Sequence, residues 1–287
     1  MLNVTKNKKN MNIDKFEVDG SNKISLKKMR ADSTLEDIDE LSGNIEELVD
    51  LQGKLYADGK YSILIVIQAM DTAGKDGIIK HVMAGFNPQS TQVSSFKQPS
   101  AEELGHDYLW KAHKSMPERG HIGIFNRSYY EEVLVVRVHD LIVFQKIPTE
   151  LIHKDIFEER FKQIKDFERM LHKNGTIVIK LFLNITKDEQ KKRLLERIED
   201  KSKNWKFSES DLKERTFWEK YMECYEDLIN ETSTKECPWY VVPSNQKKAS
   251  RLIVSEILLD RMKKLNLEYP ALTAAQTANL QKCKDQL

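Results

Sequence analysis

The sequence predicts an α/β protein built on one doubly wound, parallel, five-stranded sheet with a helical lid. Five short strand-like runs, apolar at 63–67, 121–125, 176–183 and 239–242 and alternating at 91–96, are interleaved with segments of helical period. Parallel strands need such crossovers, which cover both faces of the sheet. The first run feeds a small-residue turn, Gly74-Lys75, and then a helical segment. A charged stretch at 187–215 interrupts the alternation after the fourth run.

In chain order, residues 1–31 carry eight Lys/Arg against three Asp/Glu and few large apolar side chains, which predicts a basic, partly ordered arm. Ser33, three residues before Glu36, has the spacing of a capping box. Leu35, Ile38, Leu41, Ile45, Leu48, Leu51 and Leu55 then form one apolar stripe on a long helix, facing the sheet or a partner subunit. Asp58-Gly59 ends it. After the strand at 63–67 and its helix, Gly85 to Pro88 forms a stop. The strand at 91–96 follows, then a helix capped by Ser100 and reaching about His113, and the strand at 121–125. An apolar helical segment runs through Val138, and a helix at about 154–172 puts Ile156, Phe157, Phe161, Ile164, Phe167 and Leu171 on one side. Thr186 caps a helix to about Ile198, and Ser208 or Ser210 opens another to about Ile229. A last helix ends near Leu265. The organisation expected is an arm (1–31), a single domain (32–268, lid 187–215) and a polar tail (269–287).

Composition narrows the function. The chain has 287 residues, 40% apolar and 32% charged, and a net charge of +1. That balance argues against a general nucleic-acid binder, so any polyanion site must be a local concentration of Lys and Arg. No apolar run is long enough for a membrane span and no signal core is present, so a cytoplasmic location is expected. Cys224, Cys237 and Cys283 lack zinc or disulfide spacing, and His81, His106, His113 and His139 lack metal spacing.

The stretch from Ala69 to Gly77 has the layout of a phosphate-cradling loop: a buried strand, a small-residue turn, then a helix N-terminus. The generic pattern asks for Gly where Ala69 stands and for a hydroxyl where Asp76 stands. Ala73, Gly74, Lys75, Asp76 and Gly77 are the expected phosphate-binding residues, with Lys80 and Lys97 extending a basic track. A carboxylate at position 76 is a poor neighbour for phosphate, so Mg²⁺ (or Mn²⁺) is assigned to Asp71, with Glu132 as a second candidate. Open α/β sheets also place function at strand ends. There Asn126 is a neutral amide where P-loop proteins carry an acid, and Arg127 offers a planar fork for phosphate oxygens. Residues 187–215 hold ten Lys/Arg against eight Asp/Glu. Arg193 and Arg197 lie four apart on one helical face before an aperiodic loop containing Lys206. That is the makeup of a lid that delivers charge and excludes water.

Residues 68–77, 125–133 and 203–208, with the Glu231-Thr232-Ser233-Thr234 and Pro238 to Pro243 segments, resemble the polyphosphate kinase 2 family over roughly residues 35–268. The resemblance implies a thymidylate-kinase-like fold with a lid. It also implies Mg²⁺-dependent, reversible phosphoryl transfer between inorganic polyphosphate and nucleotides: AMP, ADP and ATP, with GMP and GDP as further candidates. By that likeness Asp71, Lys75, Arg127, Arg193 and Arg197 handle phosphate and metal; the long apolar helix stripe makes a homo-oligomer (dimer or tetramer) the expectation. Asn126, where other members carry Asp, looks like the group acting on both AMP and ADP. Two rivals stand beside this reading: an ATP-dependent nucleotide kinase of the same fold, and a GTP-regulated switch. The switch would need an Asn-Lys-x-Asp segment after a strand, and none is present.

Overall fold

The computed structural model describes residues 11–33, 35 and 40–287. Its sheet has six strands in the order β1-β6-β5-β2-β4-β3. The five expected parallel strands are all there: β2 (Ser62–Ala69), β3 (Thr91–Ser95), β4 (Ile122–Asn126), β5 (Thr176–Asn184) and β6 (Trp239–Pro243). β2 lies at the centre, paired with β4 and β5, and is buried along its whole length. A strand covered on both faces can carry Ile63 to Ile67 without alternation, which is why the run reads as continuously apolar.

The sixth strand comes from the segment expected to be a solvated arm. β1 (Glu17–Val18) pairs antiparallel with β6, and Ile13, Phe16, Val18 and Leu26 are buried against the domain. The charge of this segment hid a sparse apolar set: four anchors among many lysines are enough to hold an edge strand. The expected cap at Ser33–Glu36 and the stripe residue Ile38 fall on residues outside the described ones in part or whole.

Helices fill the crossovers. α1 (Glu40–Asp58) turns Leu48, Leu51 and Leu55 inward. It packs against α9 (Lys247–Lys263), where Asn44 donates to Ser255 (3.0 Å) and Glu256 (2.6 Å). Leu48, Leu51 and Leu55 of the stripe are therefore covered within the same chain. α2 (Lys75–Val82) follows the loop after β2. The helix expected from Ser100 is only a single turn at Glu103–Gly105 followed by α3 (Trp110–Lys114), although the reciprocal Ser100–Glu103 capping bonds do form. α4 (Val135–Val138) and α5 (Ile156–Lys173) precede β5.

The stretch expected to form a lid is α6 (Lys187–Glu199), capped by Thr186 accepting from the Glu189 amide, then a loop, then α7 (Glu209–Thr216), capped by Ser208. The helix expected to run to Ile229 is broken at Phe217, after which α8 (Trp218–Thr232) begins. The tail forms α10 (Ala274–Lys284), which is exposed throughout.

Beneath the strand ends lies a buried ionic network. Lys180, in the middle of β5, donates to Glu168 at 2.7 Å and to the Thr232 carbonyl at 2.8 Å. The other Glu168 oxygen accepts from Tyr129 (2.8 Å) and Tyr130 (2.7 Å). Every charge there is paired and hydrogen-bonded, the condition under which buried ions persist. The network fixes the two tyrosines that follow Arg127-Ser128.

Candidate active site

The loop between β2 and α2 turns by left-handed backbone at Thr72 (φ 67°) and Gly74 (φ 115°). For a β-branched residue such as Thr72 that conformation is strained, and it persists only when neighbours over-determine it. α6 supplies them. Gln190 donates to the Asp71 carbonyl (3.2 Å), and Arg193 Nη1 donates to the carbonyls of Thr72 (3.0 Å) and Ala73 (2.9 Å). Three successive carbonyls are held by one helix. Thr72 Oγ1 is buried with no hydrogen-bond partner among the described residues.

This geometry revises the expectation for Arg193. Its Nε donates to Glu189 (2.7 Å), and its Nη2 donates to the carbonyls of Ser244 (2.6 Å) and Asn245 (2.9 Å). All five N–H donors of the guanidinium are engaged, and the side chain is 3% exposed. Here Arg193 clamps the loop from behind and has no donor left for a phosphate. Arg197, its neighbour one turn on, does face the cavity and is held loosely by Asp211 at 3.4 Å.

At the loop itself, Lys75 Nζ lies against the carbonyls of Ala69 (2.9 Å) and Met70 (3.4 Å), and burial pushes its ammonium below the ordinary range. Arg127, also in left-handed backbone (φ 62°), has its amide tied to the Ile67 carbonyl. Its guanidinium pairs with Asp71 at 2.9 Å and reaches Glu131 at 3.6 Å. Glu131 is pushed up by burial, opposed chiefly by Arg127. Asn126 donates to Asp76 at 3.0 Å, and Lys206 of the loop between α6 and α7 approaches the other Asp76 oxygen at 3.8 Å. Asn126 at the end of β4 and Asp76 at the start of α2, each a departure from the usual P-loop pattern, thus meet in one contact.

Glu132 does not join them. The short 3₁₀ turn Tyr129–Val133 directs it to Arg160 (3.0 Å) and Gln145 (2.5 Å), and Glu131 is the acid beside Asp71 and Arg127. Among the described residues, no group of three or more His, Cys, Asp or Glu side chains is placed to hold a metal. Sequence reasoning missed Glu131, Gln190 and Asn245. The first shared a motif with Glu132, and the other two are polar residues whose partners lie far away in the chain.

Two cavities meet at Asp71 and Arg127. One, of about 760 Å³, follows the loop from Thr72 to Gly77 and is lined by ten Lys/Arg, including Lys75, Lys80, Lys97, Arg197 and Lys206, against three Asp/Glu. In a chain of net charge +1 this is a strong local concentration of positive charge. The other, of about 1040 Å³, is of mixed character, with Phe96, Tyr108, Leu134, Gln163 and Tyr221 among its walls.

A strand, a left-handed turn, a helix opened by Lys75 and a basic trough along the loop define the P-loop kinase class of α/β proteins. Residues 32–270 match the family model for polyphosphate kinase 2 (PPK2), and the chain belongs to that family. It is 49% identical over 249 residues to an ADP-polyphosphate phosphotransferase of Rhodopseudomonas palustris, covering 86% of each chain. It is 41% identical over 266 residues to an AMP/ADP-polyphosphate phosphotransferase of Meiothermus ruber, covering 89% of this chain and 95% of the relative. The crystal structure of polyphosphate kinase 2 from Arthrobacter aurescens TC1 superposes with a TM-score of 0.84 at 39% identity, covering 93% of this chain and 95% of that one.

Proposed function

We propose that this protein transfers a phosphoryl group between inorganic polyphosphate and adenine nucleotides, with AMP and ADP as acceptors. The observation that carries the reading is the pairing of a trough with ten cations against three acids and a separate mixed-character pocket, joined at Asp71 and Arg127. A polyanion without a base needs only the first, and a nucleotide needs the second. The names of the two relatives support both halves of the reaction.

A nucleotide phosphate is already an anion, so attack needs no general base, and catalysis reduces to positioning and charge neutralisation. Lys75 and Arg127 hold the transferred group, Arg197, Lys80 and Lys206 hold the flanking phosphates, and Asn126 steadies Asp76. Mg²⁺ (or Mn²⁺) fits the oxygen chemistry of Asp71, a 30% exposed carboxylate at the junction of the cavities, with Glu131 the nearer second acid. When bound, such an ion neutralises charge shared between donor and acceptor phosphates. GMP and GDP as further acceptors, a dimer or tetramer, and a cytoplasmic location belong to the same proposal. Among the described residues, no helix is long and apolar enough to cross a membrane.

The test offers AMP and ADP separately to the purified protein with long-chain polyphosphate and Mg²⁺, and measures ADP and ATP. Product from both supports the reading with its two acceptors, and product from ADP alone narrows it. Phosphorylation of AMP with ATP as donor but not with polyphosphate would replace it by the nucleotide-kinase reading.

A further inference from the structure

We propose that the N-terminal segment 11–33 is a strap that positions the phosphate loop, acting through Asn245 and Arg193. Nearly all of it lies ahead of the part of the chain that defines the family. Its anchoring begins with β1 on β6 and continues through Ile24, which exchanges backbone bonds with the Asn230 side chain (2.8 and 3.0 Å), and through Met29 and Arg30, whose carbonyls accept from Asn184. It ends at the turn after β6. There the Asn245 amide donates to the Ala31 carbonyl (2.9 Å), and Asn245 Nδ2 and Gln246 Nε2 both donate to Asp32 (3.0 and 2.8 Å).

Asn245 is a hub. Besides its two bonds to the strap, its Oδ1 accepts from the Thr186 amide at the start of α6 (3.0 Å), and its carbonyl accepts from Arg193 (2.9 Å). Arg193 in turn holds the carbonyls of Thr72 and Ala73. The path from Asp32 to the strained loop therefore runs through hydrogen bonds in which every link is a fixed planar group. Holding the carbonyls at the rear keeps the loop's backbone dipoles from turning a negative end toward an anion. The strap is thus a positioning element for the donor phosphate site, and Asp32 and Asn245 are its positioning residues.

The test uses the full chain with Asp32→Ala, Asn245→Ala and, as a control at the strap's far end, Lys23→Ala, which removes only the exposed ion pair with Glu231. The first readout is backbone hydrogen exchange in residues 70–77. Asp32→Ala and Asn245→Ala should speed it while core strands keep their protection, and Lys23→Ala should not. The second is kinetics: polyphosphate kcat/KM should fall about tenfold, given that a small misplacement far from chemistry can cost on the order of a hundredfold, with the nucleotide KM unchanged. Asp32→Asn, which keeps the acceptor oxygen, should restore both. If Asn245→Ala fails to fold, the Asp32 pair decides alone. Unchanged exchange in 70–77 for Asp32→Ala, or equal effects from Lys23→Ala, overturns the proposal. The kinetic arm rests on the phosphotransfer reading. A wild-type protein inactive with polyphosphate would end that reading, while the exchange measurement would still decide the strap.

Discussion

Arg193 separates two accounts of the lid most sharply. If it is a clamp, Arg193→Ala removes five donors at once, leaving the carbonyls of Thr72, Ala73, Ser244 and Asn245 unpartnered and Glu189 without its cation. A hydrogen bond to a charged group contributes about 1.5–3 kcal/mol, but these losses do not add, because the vacated space admits water. Breaking a buried ion pair costs about 3–5 kcal/mol, and at about 2–4 °C per kcal/mol the thermal midpoint should fall by roughly 6–20 °C. Arg193→Lys keeps the charge but replaces a planar fork by a point charge that cannot reach both pairs of carbonyls, so it should recover little of the midpoint and little activity. Thermal unfolding by circular dichroism, with polyphosphate-dependent ATP formation measured on the same preparations, reads both effects. An Arg193→Ala protein with a wild-type midpoint and only a raised polyphosphate KM would refute the clamp and return Arg193 to the phosphate.

Four further outcomes follow from the site. Lys75→Ala and Asp71→Ala should each lower turnover by about 10²–10³ with the fold intact by circular dichroism, the loss typical of one electrostatic stabiliser; near-wild-type rates would remove either residue from the machinery. Glu131→Gln should raise the Mg²⁺ concentration needed for half-maximal rate. It should also leave stability equal or higher at neutral pH: the folded Glu131 pKa is raised, so its ionised form opposes folding above the ordinary carboxylate range and ceases to do so as pH falls. Glu132→Gln should do the opposite, lowering the midpoint by leaving Arg160 without its counter-charge while Mg²⁺ dependence stays put. Burial lowers the Lys75 pKa, so stability rises with pH between that lowered value and about 10.4, where the unfolded chain still binds the proton. Phosphate favours the charged form, so polyphosphate binding should take up a proton on the alkaline side. Titration calorimetry in buffers of different ionisation enthalpy detects it, and buffer-independent heats would contradict the assignment.

What was legible in the sequence was local. The strand, the Gly74-Lys75 turn and α2 are neighbours in the chain, so period and turn chemistry suffice, and Thr186 and Ser208 announce their helices by capping. The role of Arg193 was not legible, because its partners Thr72 and Ala73 lie about 120 positions away. Choosing Glu131 over Glu132 requires the phase of a single 3₁₀ turn, which spacing does not give. Asn126 and Asp76 were read as two separate departures because only the fold brings β4 beside α2. Lys180 did leave a signal: a lysine inside a strand buried on both faces must have a counter-charge, and Glu168 on the preceding helix is that partner.

The two ends of the sheet are guarded differently, and this bears on how shortened chains behave. β3 closes one end with Thr91-Gln92-Val93-Ser94-Ser95, a brief and mostly polar edge unattractive to another strand. β6 at the other end is Trp239 to Pro243, buried at every position, and the antiparallel pair Glu17–Val18 covers its outer edge. A chain beginning after residue 31 would bare an apolar edge with free backbone donors and acceptors, the usual template for intermolecular pairing. Such a chain should lose solubility before it loses its fold, and a lysine or proline placed on the uncovered edge should restore it.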